Sequence, residues 1–180
     1  MHLFLVRHCQ SSGQEPDAPL TPLGHQQAEQ LADVLQERGV ARIVSSPYTR
    51  AVQTAQPLAT RLGLPLETDE RLIERVLSTE PLDDWREQLR AAWADHDLVL
   101  PGGESGRAAT QRGMAALTDI LASGHRPTVV VSHGNLLALL LHAFDGRPGY
   151  ATWEALSNPD LFEVTHEPPT RFTASRTWTP

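Results

Sequence analysis

A chain of 180 residues with 40% hydrophobic side chains is long enough for one domain with a sizeable core. Its formal net charge of −7 argues against general nucleic-acid or membrane-surface binding, which draws on clustered positive charge. All 15 basic residues are arginine, which removes lysine Schiff bases and Walker-type phosphate loops, and a single cysteine, Cys9, makes neither an internal disulfide nor a cysteine-rich zinc site.

Phe4-Leu5-Val6 is a short apolar run that reads as a buried strand, and Arg7 and His8 emerge where that strand must end. A polar segment from Gln10 to Pro19 follows. Thr21 then caps a helix opening on Pro22, whose missing N–H is one that a helix start leaves unpaired anyway. Ala28, Leu31, Ala32, Val34 and Leu35 keep close to helical spacing up to a stop at Gly39. Val40 to Val44 predicts a second strand running into Ser45-Ser46-Pro47, with Ser46 as cap and Pro47 as start of a helix that carries Arg50 in its first turn. That helix stops at Gly63, before a short strand at Leu64 to Glu67. Such alternation indicates an α/β fold with a largely parallel sheet.

Residues 69–103 are less regular and are taken as the variable, substrate-facing part of a single domain covering 1–180. Leu72-Ile73-Glu74 follows the strand, a helix is expected from Leu82 to Ala94, and Pro101-Gly102-Gly103 ends the segment. Glu104-Ser105 opens a helix to about Ala122, with Ala108, Met114, Leu117, Ile120 and Leu121 as its apolar face. Thr128 to Ser132 is the clearest buried strand, because Val129-Val130-Val131 is continuous and β-branched. It ends in Ser132-His133-Gly134-Asn135, before an almost wholly apolar helix through Leu141. Two edge strands are expected near Leu161 to Thr165 and Phe172 to Trp178, separated by Pro168-Pro169.

Three strand-to-loop junctions thus carry polar groups of one kind: Arg7 with His8, Arg50, and His133. In a parallel sheet all three lie at the same carboxyl edge, so groups distant in sequence converge there. Two arginines and two histidines make a small cationic pocket in an acidic protein. Such a pocket suits a phosphoryl group, whose oxygens match guanidinium forks and the amides of a helix N-terminus. The pocket could simply bind phosphate, but a neutral imidazole inside it is also a nucleophile toward phosphorus. The leaving oxygen then needs a proton donor. Glu74 sits in an apolar Leu72-Ile73 context where partial burial favours the protonated carboxyl, the alternative being an ordinary surface carboxylate.

Leu5-Val6-Arg7-His8, Leu20-Thr21-Pro22-Leu23-Gly24, Ser45 to Ala55, Pro101-Gly102-Gly103-Glu104-Ser105 and Val131-Ser132-His133-Gly134-Asn135 together resemble the histidine phosphatase superfamily, also called phosphoglycerate mutase-like. The resemblance runs in order from residue 3 to at least residue 140. It implies a three-layer α/β/α sandwich with a mainly parallel central sheet, no cofactor and no metal, and metal-independent hydrolysis of a phosphate monoester. It further implies that His8 is the nucleophile forming a phosphohistidine. Arg7, Arg50 and His133, with Ser11 and Gly134, would hold the phosphoryl oxygens, and Glu74 would protonate the leaving group and later activate water. Two positions depart from the family pattern. Cys9 stands where glycine usually follows the histidine, placing a side chain where backbone approaches the phosphate. Arg75-Val76-Leu77-Ser78-Thr79-Glu80 replaces a glycine- and glutamate-rich continuation, which leaves Glu80 and Glu70 as stand-ins for Glu74.

A cysteine phosphatase is ruled out, since its loop needs an arginine six positions after the thiolate and position 15 is Glu15. Cys9 reads as a small neutral filler, with acidification by the neighbouring cations and sensitivity to oxidation as the alternative. Trp85, Arg86, Arg90 and Trp93 fall at helical spacings, for packing or as part of the substrate pocket. The expected partner is a small phosphorylated metabolite, with no nucleic acid and no membrane. A cytoplasmic setting is expected, since no apolar run approaches the roughly 20 residues that cross a bilayer and the chain runs straight into a strand. Mutase-type phosphoryl transfer and a non-catalytic phosphate-ligand binding protein are the two rival readings.

Overall fold

The computed structural model describes residues 2–124, 127–167 and 171–178. Its strands are β1 (His2–Arg7), β2 (Arg42–Ser45), β3 (Leu66–Thr68), β4 (Thr128–Ser132), β5 (Asp160–Glu167) and β6 (Arg171–Arg176), in one sheet ordered β3-β2-β4-β1-β5-β6. The first four of these in spatial order run parallel, whereas β5 and β6 pair antiparallel along the β1 side. Among the described residues six α-helices accompany them: α1 (Pro22–Leu35), α2 (Thr49–Leu62), α3 (Trp85–Ala94), α4 (Gly106–Ala122), α5 (Gly134–Asp145) and α6 (Gly149–Ala155).

The sheet is covered on both faces, which is why β4 is apolar without alternation. Successive side chains of a strand point to opposite faces. Leu3, Leu5 and Val130 therefore enter one core with α4 and α5, while Phe4, Val6, Val129 and Val131 enter the other with α1 and α2. Each fully buried aliphatic side chain contributes about 1.5–3 kcal/mol relative to exposure, so the β2-β4-β1 centre is the firmest ground from which to project functional groups. The expected three-layer sandwich with a mainly parallel sheet is present. No described helix is long and apolar enough to cross a membrane.

Local signals held where they act locally. Thr21 accepts from the Gly24 amide at 3.0 Å with Pro22 opening α1, and Ser105 accepts from the Ala108 amide at 3.0 Å to open α4. Boundaries moved elsewhere. α1 ends at Leu35, with Gly39 in the turn beyond it; α3 begins at Trp85 rather than Leu82. α2 begins at Thr49 rather than Pro47, with extended Tyr48 at the cap position and no side-chain cap, so Ser46, the expected cap, stands three residues before the helix and meets His133. On α4 the buried face includes Ala109 rather than Ala108, one position round the helix. β5 is no edge strand, being flanked by β1 and β6; β6 ends at Arg176, short of Trp178. Pro168-Pro169 lies outside the described residues.

Candidate active site

The carboxyl ends of β1, β2 and β4 are laced together by backbone. The His8 amide donates to the Ser132 carbonyl at 3.0 Å and the Ser46 amide to the Val131 carbonyl at 2.9 Å. That lacing brings Arg7, His8, Arg50 and His133 to one point, as the sequence predicts. The His8 and His133 rings lie 5.1 Å apart, and both residues are buried, as is Arg50.

His8 is fixed in one tautomer. Its Nδ1 lies 2.7 Å from the Cys9 carbonyl oxygen, which only accepts, so Nδ1 carries the hydrogen and Nε2 the lone pair. Arg50 donates from Nε to that Nε2 across 3.2 Å. Burial pushes the His8 pKa down to about 3; the Cys9 carbonyl opposes this and the charges of Arg50 and Arg7 add to it. The imidazole is therefore neutral at pH 7. His133 is likewise held well below the usual histidine range, first by burial and then by His8 and Arg50.

Around His8 several buried donors lack a partner among the described residues. Arg7 gives Nη1 to the Leu156 carbonyl at 2.9 Å, but its Nε has none. Arg50 gives Nη1 to the Glu15 carbonyl at 2.8 Å, and its Nη2 has none. His133 meets the Ser46 hydroxyl through Nε2 at 2.7 Å, leaving Nδ1 without one. Buried polar atoms are paired in roughly 90% of cases or more, so three orphans on three converging side chains mark a place built for an acceptor. Burial lowers both guanidinium pKa values, opposed by the charge of Glu74, yet an arginine stays protonated.

Gly134 opens α5 directly under Arg7. A Cβ at that position would lie 3.0 Å from Arg7 Nε and 3.1 Å from Cζ, so close approach, not backbone angle, is what favours glycine there. Gly24 serves the same end on α1. A Cβ there would lie 2.0 Å from the Gln10 carbonyl oxygen, so its absence lets the helix settle on the loop that follows His8.

Glu74 is half-buried beside this cluster, but in extended chain after a 3-10 turn over Glu70–Leu72 rather than directly after the strand. Its Oε1 accepts from the Arg75 amide at 2.9 Å and the Leu136 amide at 3.0 Å, and its Oε2 from the Asn135 amide at 3.0 Å. The carboxylate thus also closes the N-terminus of α5, a role its apolar sequence neighbours gave no hint of. Of the stand-ins, Glu80 lines the same cavity as Glu74, whereas Glu70 is exposed on the 3-10 turn.

The remaining expectations divide. Ser11 turns its hydroxyl to the Gly13 carbonyl at 2.9 Å. Cys9 does not join the unpaired donors of Arg7, Arg50 and His133. It is buried with Leu20 and Ala28, and its amide donates to Thr54 Oγ1 at 2.9 Å. Burial pushes the thiol up to about 12, opposed by the Thr54 hydrogen bond, which agrees with the neutral filler expected of Cys9 and goes against the alternative of an acidified, oxidation-prone thiol.

Several supporting residues escaped the sequence. Tyr48 packs edge-on to His133 at 5.0 Å and under the Arg50 guanidinium at 5.0 Å. Asn158 donates to the His8 carbonyl at 2.8 Å. Arg112 on α4 donates to the Arg71 and Ile73 carbonyls at 2.7 and 2.9 Å, while Glu104 grips it at 2.8 and 2.9 Å. The Pro101–Ser105 motif therefore steadies the segment that carries Glu74. Only Glu104 carried a sequence signal.

A mainly parallel α/β/α sandwich that gathers two arginines and two histidines at its carboxyl edge defines a phosphoryl-handling protein of the phosphoglycerate mutase-like fold. The chain belongs to the histidine phosphatase superfamily (branch 1), whose family model matches residues 3–175. It is 34% identical over 171 residues, 84% of this chain and 78% of the relative, to a probable phosphoglycerate mutase, GpmB, of Yersinia pestis (strain Pestoides F). Among solved structures it resembles a mycobacterial glucosyl-3-phosphoglycerate phosphatase at 30% identity and TM-score 0.80, covering 97% of both chains. The complex of that phosphatase with inorganic phosphate matches at 31% identity and TM-score 0.78, covering 97% of this chain and 95% of the other. The alpha-ribazole phosphatase of Shigella flexneri shares the fold, at 23% identity and TM-score 0.78, covering 98% and 95%.

Proposed function

We propose that this protein is a phosphatase that hydrolyses a small phosphate monoester through a phosphohistidine on His8. The observation that carries the reading is the neutral His8 imidazole, with Nε2 as its lone-pair nitrogen, facing unpaired buried donors of Arg7, Arg50 and His133. The phosphatases among the similar structures, one of them in complex with inorganic phosphate, support it.

In the first step the Nε2 lone pair attacks phosphorus and the bond to the ester oxygen breaks. The leaving oxygen keeps that electron pair and takes a proton from the Glu74 carboxyl. Charge growing on the phosphoryl oxygens meets Arg7 Nε, Arg50 Nη2 and His133 Nδ1, donors fixed in place before the reaction. Ser46 can set the tautomer of His133: with its hydroxyl accepting from the Tyr48 amide at 3.3 Å and giving its own hydrogen to His133 Nε2 at 2.7 Å, His133 carries its hydrogen on Nδ1. In the second step water attacks phosphorus, Glu74 takes its proton, and the P–N bond breaks. Inorganic phosphate leaves and His8 returns to the neutral form.

The test is to quench the enzyme during turnover of a phosphate ester and assay protein-bound, acid-labile phosphate. Wild type should carry it and His8→Ala should not. Steady phosphate release from His8→Ala at the wild-type rate would remove the mechanism. The likeness to a probable phosphoglycerate mutase favours a second reading, phosphoryl return to a phosphoglycerate rather than to water. The same quenched samples decide between them by the ratio of free phosphate to phosphoryl transferred. A purely binding protein would show neither.

A further inference from the structure

Beside Arg7 and Glu74 the site opens into a cavity of about 440 Å³, far more than a phosphoryl group fills. Its outer wall is aromatic. Trp85, the first residue of α3, and Trp153, on α6, stand at 85° to one another with ring centroids 6.0 Å apart. Leu77 and Leu82 continue the apolar lining. Trp85 is 43% exposed, and among the described large apolar residues left in water it alone lines this cavity. A packing role alone would have drawn that indole into the core. Instead Arg86 lies over its ring at 5.2 Å, holding it at the rim. Perpendicular indoles form a corner in which a flat ring stacks on one partner and meets the edge of the other.

We infer that Trp85 and Trp153 select phosphate monoesters whose alcohol carries a planar aromatic or heteroaromatic ring, held in this corner while the phosphoryl group sits at His8. The inference rests on the phosphatase reading above and adds to it the class of leaving alcohol. α3 and α6 arrive from distant parts of the chain and meet through this pair and through Arg90, which lies over the Tyr150 ring at 4.9 Å, so the specificity belongs to these two helices rather than to the donors around His8.

The experiment compares kcat/KM for 2-phenylethyl, 2-cyclohexylethyl and ethyl phosphate. All three are primary alkyl esters, so the chemical step is closely matched and differences report the side group. Wild type should prefer the phenyl ester over the ethyl ester by about 10-fold or more, and over the cyclohexyl ester by several-fold. Trp85→Ala should lower the phenyl-to-ethyl ratio about 10-fold, and Trp85→Phe should retain most of it. Equal kcat/KM on all three esters in wild type overturns the inference, as does a Trp85→Ala ratio equal to wild type. If no ester is hydrolysed and His8 carries no acid-labile phosphate, the phosphatase reading fails instead. Tryptophan fluorescence titration with 2-phenylethyl phosphonate and ethyl phosphonate then decides the ring site by itself. Tighter binding of the phenyl compound, lost in Trp85→Ala, upholds the ring site, and equal binding overturns it.

Discussion

Arg50 Nε lies 3.2 Å from His8 Nε2, so the lone pair assigned to attack phosphorus is already engaged by a guanidinium that would receive the phosphoryl group. A planar fork holds the nitrogen through Nε and an oxygen through Nη2 at once in one rigid arrangement, which the rotatable donors of an ammonium on a flexible stem do not supply. Arg50→Lys should therefore lower kcat/KM by about 10²–10³-fold although the charge is kept. Rapid-quench measurement of phosphoenzyme formation checks this. A loss below fivefold would show that charge alone suffices.

The depressed pKa of His8 links the site to stability. An unfolded histidine titrates near about 6.5, whereas folded His8 titrates at about 3. Between those values the unfolded chain binds a proton that the folded chain refuses. Stability should rise with pH across this window, be complete above the unfolded value, and be lost as pH falls toward the folded one. The slope from one such group is at most about 1.4 kcal/mol per pH unit, with His133 acting in the same direction. Urea midpoints of wild type and His8→Asn from pH 4 to 8 measure it, and the variant should show the shallower dependence. The His8 ring resonances should also stay unshifted from pH 8 to 5, where a midpoint near 6.5 would contradict the neutral nucleophile.

Gly134→Ala should separate activity from folding. Alanine favours a helical position by up to about 1 kcal/mol over glycine, so Tm should hold or rise slightly. The new methyl group nevertheless lands 3.0 Å from Arg7 Nε, the unpaired donor assigned to the phosphoryl group, and the guanidinium must give way. We expect kcat/KM to fall at least 10-fold with Tm within a few degrees of wild type, measured on the same preparation. Unchanged kinetics would show that Arg7 has room to adjust.

The sequence legibility of the site follows the range of the forces involved. Thr21-Pro22 and Ser105 were readable because cap and helix are neighbours in the chain. The convergence of Arg7, His8, Arg50 and His133 was readable because parallel strands put every carboxyl end on one edge. Ser46 is no cap because α2 starts at Thr49, and the contact its hydroxyl does make, with His133 87 residues away, leaves no local trace. The orientation of Cys9 depends on α1 closing over it, and the Trp85–Trp153 corner joins helices about 70 residues apart; neither leaves a local trace. Arg112 carries no sequence signal, because the carbonyls it serves, Arg71 and Ile73, lie 41 and 39 residues away in the chain.

Cys9 should be chemically quiet. Its thiol is fully buried against Leu20 and Ala28 and is pushed up to about 12, so little thiolate exists at pH 7 to react. Wild type and Cys9→Ser should lose activity to peroxide at the same rate. Serine there places a hydroxyl in an apolar setting and should cost about 1–3 kcal/mol of stability, read from denaturant midpoints. Faster peroxide inactivation of wild type would return Cys9 to a functional role.

Glu74 combines two roles that a leaving-group comparison separates. As the proton donor it matters most for an alkyl ester, whose departing oxygen is strongly basic, and little for 4-nitrophenyl phosphate, whose oxygen departs without a proton. General acid catalysis of this kind contributes about 10²–10⁴-fold. As the acceptor of the Arg75, Asn135 and Leu136 amides it also braces the start of α5, and Glu74→Gln should cost about 1–2 kcal/mol because an NH2 group that cannot accept replaces one of the two accepting oxygens. A brace fails equally for every substrate, because it displaces Gly134 and the donors above it. We therefore expect Glu74→Gln to lose about 10²-fold or more in kcat/KM on an alkyl phosphate and less than about 10-fold in kcat/KM on 4-nitrophenyl phosphate, since kcat/KM reports phosphoenzyme formation, while kcat on the nitrophenyl ester falls further with the slowed water attack. Acid-labile phosphate should then accumulate on His8 with the nitrophenyl ester, since water attack has lost its base. Equal losses on both esters, with no accumulation, would leave Glu74 as a structural acceptor and move the acid role to Glu80, which lines the same cavity.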